Sequence, residues 1–552
     1  MQIRRERSLW PTLAVAGAAA IAVGVGSAGG GSGHMSIKNA AATTSLQITT
    51  PAATKSVNSV TWGLYRDVDS VDPIFGFDYP ENTVDSALCD ALFRQTPAGG
   101  RVPGLALKVT NPNPTTDVFT LRPGVKFWDG HAMTSADVVY SLQRAANTKV
   151  GGFYTSIFDR VKSISATGPL QVTLKLTQPD EWLLGELSSL PGMIVEKSYA
   201  EKAGTKYGTM GVGGMCTGPY MIKSWTAKNG LIAVKNPHYW DKSIHPWVKQ
   251  YIFKGFSDSA MTSGLETGAI GITYSTDPTI LQALEGNKKL SVTQGSSYIT
   301  DALIVGNDKG VLGNVKVRQA LSMALDRKAY IKATYQGDAQ MPNTLANPGT
   351  WGGYQPSIFQ AAYNSLPSYA TPNVTAAKKL IQQAGATGKT ITIGMSNQIT
   401  QIQNAATTIE DAAANIGLKV KLKTFPAATW IDVFTEAKAR AGLDAFFVLS
   451  YPDYGAPEGQ YQQFVLPTGS LNYSGFSNPQ ITKLLNQSRS TANPAARARL
   501  VVQAQKLIMQ QLPWIPLSDP DTVLVTQKNL TGAPASFSYM YAPWAAVGLG
   551  GH

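Results

Sequence analysis

Residues of the types that perform catalysis or bind metals are sparse in this sequence. It contains five histidines; two of them, His238 and His245, lie seven residues apart without an HExxH pattern or a neighbouring cysteine. Zinc sites need several such ligands at short, fixed spacings. No GxSxG sequence marks a serine nucleophile. We therefore expect a protein that is not an enzyme and that has no metal or cofactor.

Two glycine-rich strings resemble phosphate-binding motifs, but neither has the required context. Residues 24–29 match GxGxxG within an apolar run, with no strand before them and no suitably placed acidic residue after them. Residues 384–390 resemble the end of a P-loop, yet Gln383 stands where the first glycine belongs, and a predicted helix precedes the string. We predict instead that Gly385 ends this helix before the strand Thr390–Met395.

Aromatic residues in predicted loops are the best indication of a ligand site. They lie beside Pro and Gly turns and do not have the spacing of a helical core. Such residues stack against ligands in many recognition clefts. Each alone is compatible with packing at the edge of a core, but together they predict a cleft. They are Phe75, Phe77, Tyr79, Trp351, Tyr354, Trp430, Tyr451 and Tyr454.

Length and charge narrow the class of protein. A chain of 552 residues is expected to form three to four domain-sized units. The net charge is +12, but the basic residues are dispersed, and the densest group is Arg4, Arg5 and Arg7. Proteins that bind nucleic acids cluster their basic residues. We therefore expect no nucleic-acid partner.

The N-terminus is typical of an export signal. Basic residues precede an apolar run over 12–25, and the small residues 26–28 follow it. This run is about 14 residues long, too short to span a bilayer comfortably. We predict a signal peptide over 1–28 and a flexible tether over 29–57. An exported chain meets oxidising conditions, which permit a disulfide between Cys89 and Cys216. The alternative is that these cysteines are two separate buried thiols.

Helix and strand patterns indicate the elements that carry these residues. Thr134 and Asp137 have the spacing of a capping box that opens a helix. The segment 315–335 is predicted to be one helix, and from there to about residue 510 helices alternate with strands. Such alternation predicts an α/β lobe with largely parallel strand pairing.

Several blocks of the sequence resemble one protein family. VFTLRPGVKFWDG at 118–130, followed by TSADVVYS, closely resembles the signature of extracellular solute-binding protein family 5. These proteins are the oligopeptide-, dipeptide- and nickel-type binding components of ABC importers. The resemblance covers about residues 58 to 530. The later matching blocks are Thr217–Tyr220, Asn236–Trp240, Val317–Arg327, Ala377–Gly385 and Trp514–Pro516.

The resemblance implies an α/β fold of the periplasmic-binding-protein type (type II) with three lobes and a hinged ligand cleft. The ligand would be enclosed when domain III closes on domain I. Crossovers near 297–303 and 513–520 would form the hinge. The implied segments are 58–96, 217–300 and 515–545 for domain I, 97–216 for the inserted domain II, and 301–514 for domain III.

The resemblance also implies ligand contacts. In peptide-binding relatives a domain III carboxylate pairs with the α-ammonium of the peptide, and Asp453 occupies the matching position. The alternative is an aspartate that shapes the turn after Pro452. A loop that follows the ligand backbone aligns with Phe77, Asp78 and Tyr79. The other residues expected at the site are Trp351, Trp430, Tyr451 and Tyr454.

Two features depart from the family pattern. Relatives often place a basic domain III residue against the peptide carboxylate, but no arginine occurs between Arg327 and Arg440. This argues against a short peptide with a firmly clamped C-terminus. Gly29 stands where the lipid-bearing cysteine of Gram-positive members is expected. A covalent lipid anchor is therefore not supported.

These observations predict an exported, monomeric binding protein on the outer side of the bacterial membrane. It would capture a peptide or a similar small molecule and deliver it to an ABC permease. Three alternatives remain open at this stage. The first is another solute, such as an oligosaccharide or haem; the second is a metal chelate; and the third is an exported hydrolase that reuses the fold.

Overall fold

The computed structural model describes residues 49–275, 278–284, 286–397 and 399–552. The predicted signal peptide and residues 29–48 of the predicted tether lie outside these ranges. No helix in the described ranges combines the length and the apolar character needed to cross a bilayer.

Seven strands form a sheet from three separated parts of the chain. The strand Val57–Leu64 runs parallel to two neighbours, and its residues Val60, Trp62 and Leu64 are buried. Alternation of this kind places every second side chain in the core. In spatial order the strands are Leu290–Gly295, Thr522–Gln527, Ile272–Ser275, Val57–Leu64, Val248–Gly255, Gly230–Lys235 and Tyr220–Thr226.

A second sheet has six strands. Among its described pairings, Thr390–Ser396 is parallel to both of its neighbours, but the other three pairings are antiparallel. The prediction of largely parallel pairing is confirmed among the strands Thr390–Ser396, Lys419–Phe425 and Ala445–Ser450 of the alternating segment. It does not extend to the whole sheet, because each antiparallel pairing involves Thr300–Val305 or Trp514–Pro520, which lie outside that segment. Parallel strands need a crossover connection between them. The alternation of helices and strands provides such connections only within residues 390–450. In spatial order the strands are Ala339–Gln340, Trp514–Pro520, Thr300–Val305, Ala445–Ser450, Thr390–Ser396 and Lys419–Phe425.

Helices surround the six-stranded sheet. The predicted single helix over 315–335 is two helices, because the chain is extended at Leu325 and Asp326 caps the second one, accepting a hydrogen bond from the Ala329 amide at 3.0 Å. Gly385 follows a helix end with φ of 61°, as predicted. The helices are Val315–Ala324, Arg327–Tyr335, Pro356–Ser365, Val374–Gln383, Thr400–Asn415, Ala427–Trp430, Asp432–Thr435, Ala437–Arg440, Pro457–Phe464, Pro479–Arg489 and Pro494–Gln511.

A four-stranded antiparallel sheet forms the third lobe. The predicted capping box opens its helix, Ser135–Ala146: Asp137 accepts from the Thr134 amide at 2.9 Å, and Thr134 accepts from the Ala136 amide at 3.3 Å. Val138 and Leu142 of this helix are fully buried. In spatial order the strands are Ala106–Asn113, Thr116–Leu121, Gln171–Leu176 and Val161–Gly168.

Shorter elements complete the lobes. The helices are Tyr79–Leu88, Leu183–Glu186, Lys197–Ala203, Asp258–Thr267, Pro278–Leu284 and Trp544–Gly548. The strands are Phe93–Gln95, Arg101–Pro103, Leu530–Thr531 and Gly550–Gly551.

The chain passes twice between the two larger sheets. The first passage lies between Gly295 and Thr300, and the second is at Asp521. The boundary expected at residue 515 would cut the strand Trp514–Pro520, which pairs with Thr300–Val305. A division that keeps this strand whole falls at Asp521.

A disulfide joins the two ends of the segment that carries the four-stranded sheet. Cys89 and Cys216 are bonded, with Cα atoms 5.0 Å apart and a sequence separation of 127. Beside the bond, the Gly218 amide donates to the Leu88 carbonyl at 2.9 Å. Of the two arrangements that the sequence left open, the structure has the disulfide.

The last part of the predicted tether is held against the C-terminus. Thr50 donates to the Ala533 carbonyl at 2.8 Å, and the amides of Thr54 and Lys55 donate to the Gly551 carbonyl at 2.8 and 2.9 Å. A flexible segment extending to residue 57 is therefore not what the structure shows. These groups form hydrogen bonds with the C-terminal segment, and the sequence alone gave no indication of this pairing.

Candidate ligand-binding cleft

A cavity of about 1200 Å³ lies between the seven-stranded and six-stranded sheets. Trp62 and Tyr274 line it from the first sheet, and Val448 and Ser450 line it from the second. A space of this size, bounded by two lobes, suits a small molecule or a short peptide. Six of the predicted site residues line it, namely Phe77, Asp78, Tyr79, Trp430, Tyr451 and Asp453.

The loop before the helix Tyr79–Leu88 forms one wall. Asp78 caps this helix by accepting from the Tyr79 amide at 2.8 Å. The hydroxyl of Tyr451 donates to the Phe77 carbonyl at 2.9 Å, and the rings of Tyr79 and Tyr451 meet edge to face at 5.0 Å. This hydrogen bond and this ring contact are among those that connect the two sides of the cavity.

Asp453 lies just beyond the strand Ala445–Ser450 and is 5% exposed. One carboxylate oxygen accepts from the Tyr541 hydroxyl at 2.9 Å, and the other accepts from the Gln463 amide at 2.5 Å. Both donors are neutral, and burial raises the pKa of Asp453 to about 6. Because its side chain bonds to distant residues and not to its own turn, the geometry favours a positioned carboxylate over a turn former.

The second charged group of the cavity is centred on Arg66. Its guanidinium pairs with Asp78 at 2.7 Å and with Glu81 at 2.6 Å. Tyr65 also donates to Asp78. The neighbouring carboxylates raise the pKa of Arg66 despite its burial. The cation is therefore fixed in place by acidic groups of the same lobe.

Two predicted wall residues, Trp351 and Tyr454, are not among the residues that line the cavity. Trp351 is 2% exposed and packs against Phe359 and Tyr363, with ring centroids 5.8 and 5.7 Å away. The ring of Tyr454 packs against Gly459 and Gly185. Because consecutive side chains point in different directions, Asp453 faces the cavity while the next residue faces the core.

Sequence reading missed several aromatic residues of the lining. Phe153 lies against Phe77 with ring centroids 3.9 Å apart. Tyr274 stacks on Tyr539 at 3.8 Å. They come from segments far apart in the chain, so only the tertiary fold brings them together. Arg66 was missed as well, although its position beside the acidic loop that begins at residue 67 was a usable signal.

A group of three side chains outside the cavity could hold a metal ion: Asp129, His131 and Glu196. The Nδ1 atom of His131 lies 2.8 Å from Asp129 and 3.1 Å from Glu196. Hydrogen bonds account for these distances without an ion. None of the three lines the cavity.

Comparisons with known proteins agree with this arrangement. The glutathione-binding protein GsiB of Escherichia coli strain K12 is 26% identical over 429 residues, which cover 76% of this chain and 80% of that protein. The binding protein DppA of Helicobacter pylori, solved with the peptide STSA, superposes with a TM-score of 0.77 at 20% identity. The match covers 90% of this chain and 98% of that one.

A third relative was solved with a different ligand. The binding protein AgaA of A. tumefaciens R10, in complex with agropinic acid, has a TM-score of 0.80 at 20% identity and covers 90% of this chain and 99% of that one. Likeness at this identity shows the type II periplasmic-binding-protein fold. The family model for bacterial extracellular solute-binding proteins, family 5 (middle region), matches residues 101–472. The chain therefore belongs to the bacterial extracellular solute-binding proteins of family 5.

Proposed function

We propose that this protein is the exported substrate-binding component of an ABC importer, and that it binds a peptide or peptide-like solute between its two larger sheets. The observation that carries the proposal is the buried Asp453 carboxylate in the cavity wall, whose described partners are neutral. A desolvated amine needs a fixed counter-charge. Relatives named for glutathione and solved with a peptide support the same class of ligand.

The same proposal assigns roles to the lobes. Domain I would comprise 58–96, 217–295 and 522–545, domain II 97–216, and domain III 300–520, with the two passages between the sheets as the hinge. Two connections allow one lobe to rotate on the other with little repacking. The Tyr451–Phe77 hydrogen bond would then exist only when the cleft is closed.

Delivery to a permease and export by residues 1–28 complete the proposal. Family membership supports both, and the disulfide suits an oxidising compartment. The lining offers aromatic surfaces and fixed charges, the usual means by which binding proteins recognise a solute. We infer capture and release of an unchanged ligand by a monomer.

The proposal is tested by mass spectrometry of ligand co-purified with the full chain, followed by calorimetry with the identified molecule. We expect a peptide or a related amine, bound by the wild type and bound at least tenfold more weakly by Asp453→Asn. Asparagine preserves the shape of the side chain, and Tyr541 can turn its hydroxyl to keep a hydrogen bond. A co-purified solute without an amine, or unchanged affinity of the variant, contradicts the proposal.

A further inference from the structure

The charged residues around the cavity are almost all acidic. Five aspartates line it: Asp67, Asp69, Asp78, Asp258 and Asp453. Arg66 is the single basic residue in the described part of the lining. The whole chain has a net charge of +12, so the negative character belongs to the cavity and not to the protein. A cleft lined by one sign of charge concentrates ligands of the opposite sign.

Arg66 has every N–H committed to a described residue. A guanidinium has five N–H donors. The Nε group donates to Asp78 at 3.2 Å, and the Nη2 group donates to Asp78 at 2.7 Å and to Glu81 at 2.6 Å. The Nη1 group donates to Glu81 at 2.8 Å and to the Asp67 carbonyl at 3.0 Å. A ligand carboxylate could bind this cation only by displacing one of its present partners.

The carboxylate of Asp453, in contrast, has acceptor positions that the hydrogen bonds given above do not fill. An ionised carboxylate offers about four acceptor positions, and the described structure fills two of them, from Tyr541 and Gln463. No lysine or arginine pairs with it among the described ion pairs. The cavity thus contains an anion with free acceptor positions and a cation with no free donor.

We infer that the cavity selects ligands that carry an ammonium or another cation and lack a free carboxylate, such as peptide amides, esters or cyclic peptides. This inference rests on the proposed function and adds the charge type of the ligand. A buried carboxylate loses its hydration and finds no counter-charge here. A cation, in contrast, meets Asp453 and the rings of Phe77 and Phe153. Glutathione, with two carboxylates, is then a poor ligand.

The test offers the full chain, freed of bound ligand, an equimolar mixture of random tetrapeptides in three forms. One form has a free amine and a C-terminal amide, the second has both termini free, and the third is acetylated with a free carboxylate. Bound peptides are separated with the protein and quantified by mass spectrometry. We expect the amide form to be retained at least about tenfold over the form with both termini free, and the acetylated acid to be absent.

The possible outcomes distinguish the inference on ligand charge from the proposed peptide function. Preference for the form with two free termini, or retention of the acetylated acid, overturns the inference on charge while peptide binding stands. Retention of no form overturns the proposed peptide function, and the inference falls with it. Retention of the amide form supports both.

A variant tests the role of the committed arginine. Glu81→Gln frees one N–H of Arg66 and removes one negative charge without altering the lining residues themselves. We expect the preference for amides to shrink by about threefold or more, because a ligand carboxylate gains a partner. Asp241→Asn is the matched control, since it removes a carboxylate from another arginine, Arg94, outside the cavity. An unchanged preference in Glu81→Gln overturns the inference, provided that circular dichroism shows the variant folded.

Discussion

At the scale of single residues, the proposed recognition of an amine depends on the ionisation of Asp453. The titratable groups that face it are Glu186, Tyr154, Tyr451 and Tyr541. Burial and then the charge of Asp453 raise the pKa of Glu186, whose carboxylate oxygens have no hydrogen-bond partner among the described residues. Because Asp453 accepts two hydrogen bonds, the negative charge of this pair resides on it.

This charge predicts how binding depends on pH. Burial raises the pKa of Asp453 to about 6, so protonation below that pH removes the partner of a ligand ammonium. We expect the affinity for an amine-bearing peptide to be highest near pH 7 and to fall up to tenfold per pH unit below pH 6. Near pH 8 it should begin to fall again, because the α-amine of the peptide loses its proton. Calorimetry between pH 5 and pH 8 measures this profile. Asp453→Asn should bind weakly at every pH, and a profile that is flat in the wild type contradicts the prediction.

Two tyrosines provide a matched comparison of hydroxyl groups. The Tyr451 hydroxyl donates to the Phe77 carbonyl across the cavity, whereas the Tyr454 hydroxyl has no hydrogen-bond partner among the described residues. We expect Tyr451→Phe to weaken ligand binding about fivefold, since one hydrogen bond contributes about 1 kcal/mol. Tyr454→Phe should leave affinity unchanged. Equal effects in titrations of the two variants would show that the hydrogen bond across the cavity does not contribute.

The residues of the site were predictable only where they follow a family motif or a loop signal. Phe77, Asp78, Tyr79 and Asp453 were found this way, and all four line the cavity. Trp351 was misplaced because an aromatic residue next to a glycine turn can face either a cleft or a core, and sequence does not give the direction. Ring pairs from distant segments leave no local pattern, which is why Phe153, Tyr274 and Tyr539 were missed.

At the scale of elements, short-range hydrogen bonds could be predicted from the sequence, whereas long-range strand pairing could not. The capping box at Thr134 formed as predicted, because its hydrogen bonds join residues three positions apart. The pairing of Thr300–Val305 depends on strands about 140 and 210 residues away in the chain, and periodicity contains no information on such partners. The domain boundaries expected from the family resemblance stay a prediction, and keeping the strand Trp514–Pro520 whole puts the last proposed boundary at Asp521.

The disulfide acts at the same scale, since it closes the inserted segment where that segment leaves and rejoins the rest of the chain. Cys89 and Cys216 have a sequence separation of 127, and a closed loop of that length lowers the entropy of the unfolded chain. We expect the double variant Cys89→Ser/Cys216→Ser to lose about 2–5 kcal/mol of unfolding free energy. Chemical denaturation with and without a reducing agent measures the loss. The variant should be insensitive to the reductant, and equal stability of oxidised and reduced wild type contradicts the prediction.

At the scale of the whole molecule, the proposed binding site lies at the boundary between two lobes. The cavity is lined from both larger sheets, and the chain connects these sheets only twice within the described residues, between Gly295 and Thr300 and at Asp521. The third lobe is tied to the first by the disulfide. In the proposed hinge motion a ligand in the cavity would contact both lobes, and its binding energy would be available to hold them together.

We accordingly expect ligand to shift the protein towards a more compact form. Small-angle scattering of ligand-free protein should give a larger radius of gyration than scattering at saturating ligand, because only the closed form makes contacts with both sheets. Tyr451→Phe should need more ligand to reach the compact state, since it lacks the hydrogen bond to Phe77 that joins the lobes. Lys378→Ala, on a helix of the domain III lobe outside the cavity, serves as the control and should follow the wild type. Identical scattering with and without saturating ligand would mean that the cavity fills without closure, and the hinge assigned to the two connections would then be wrong.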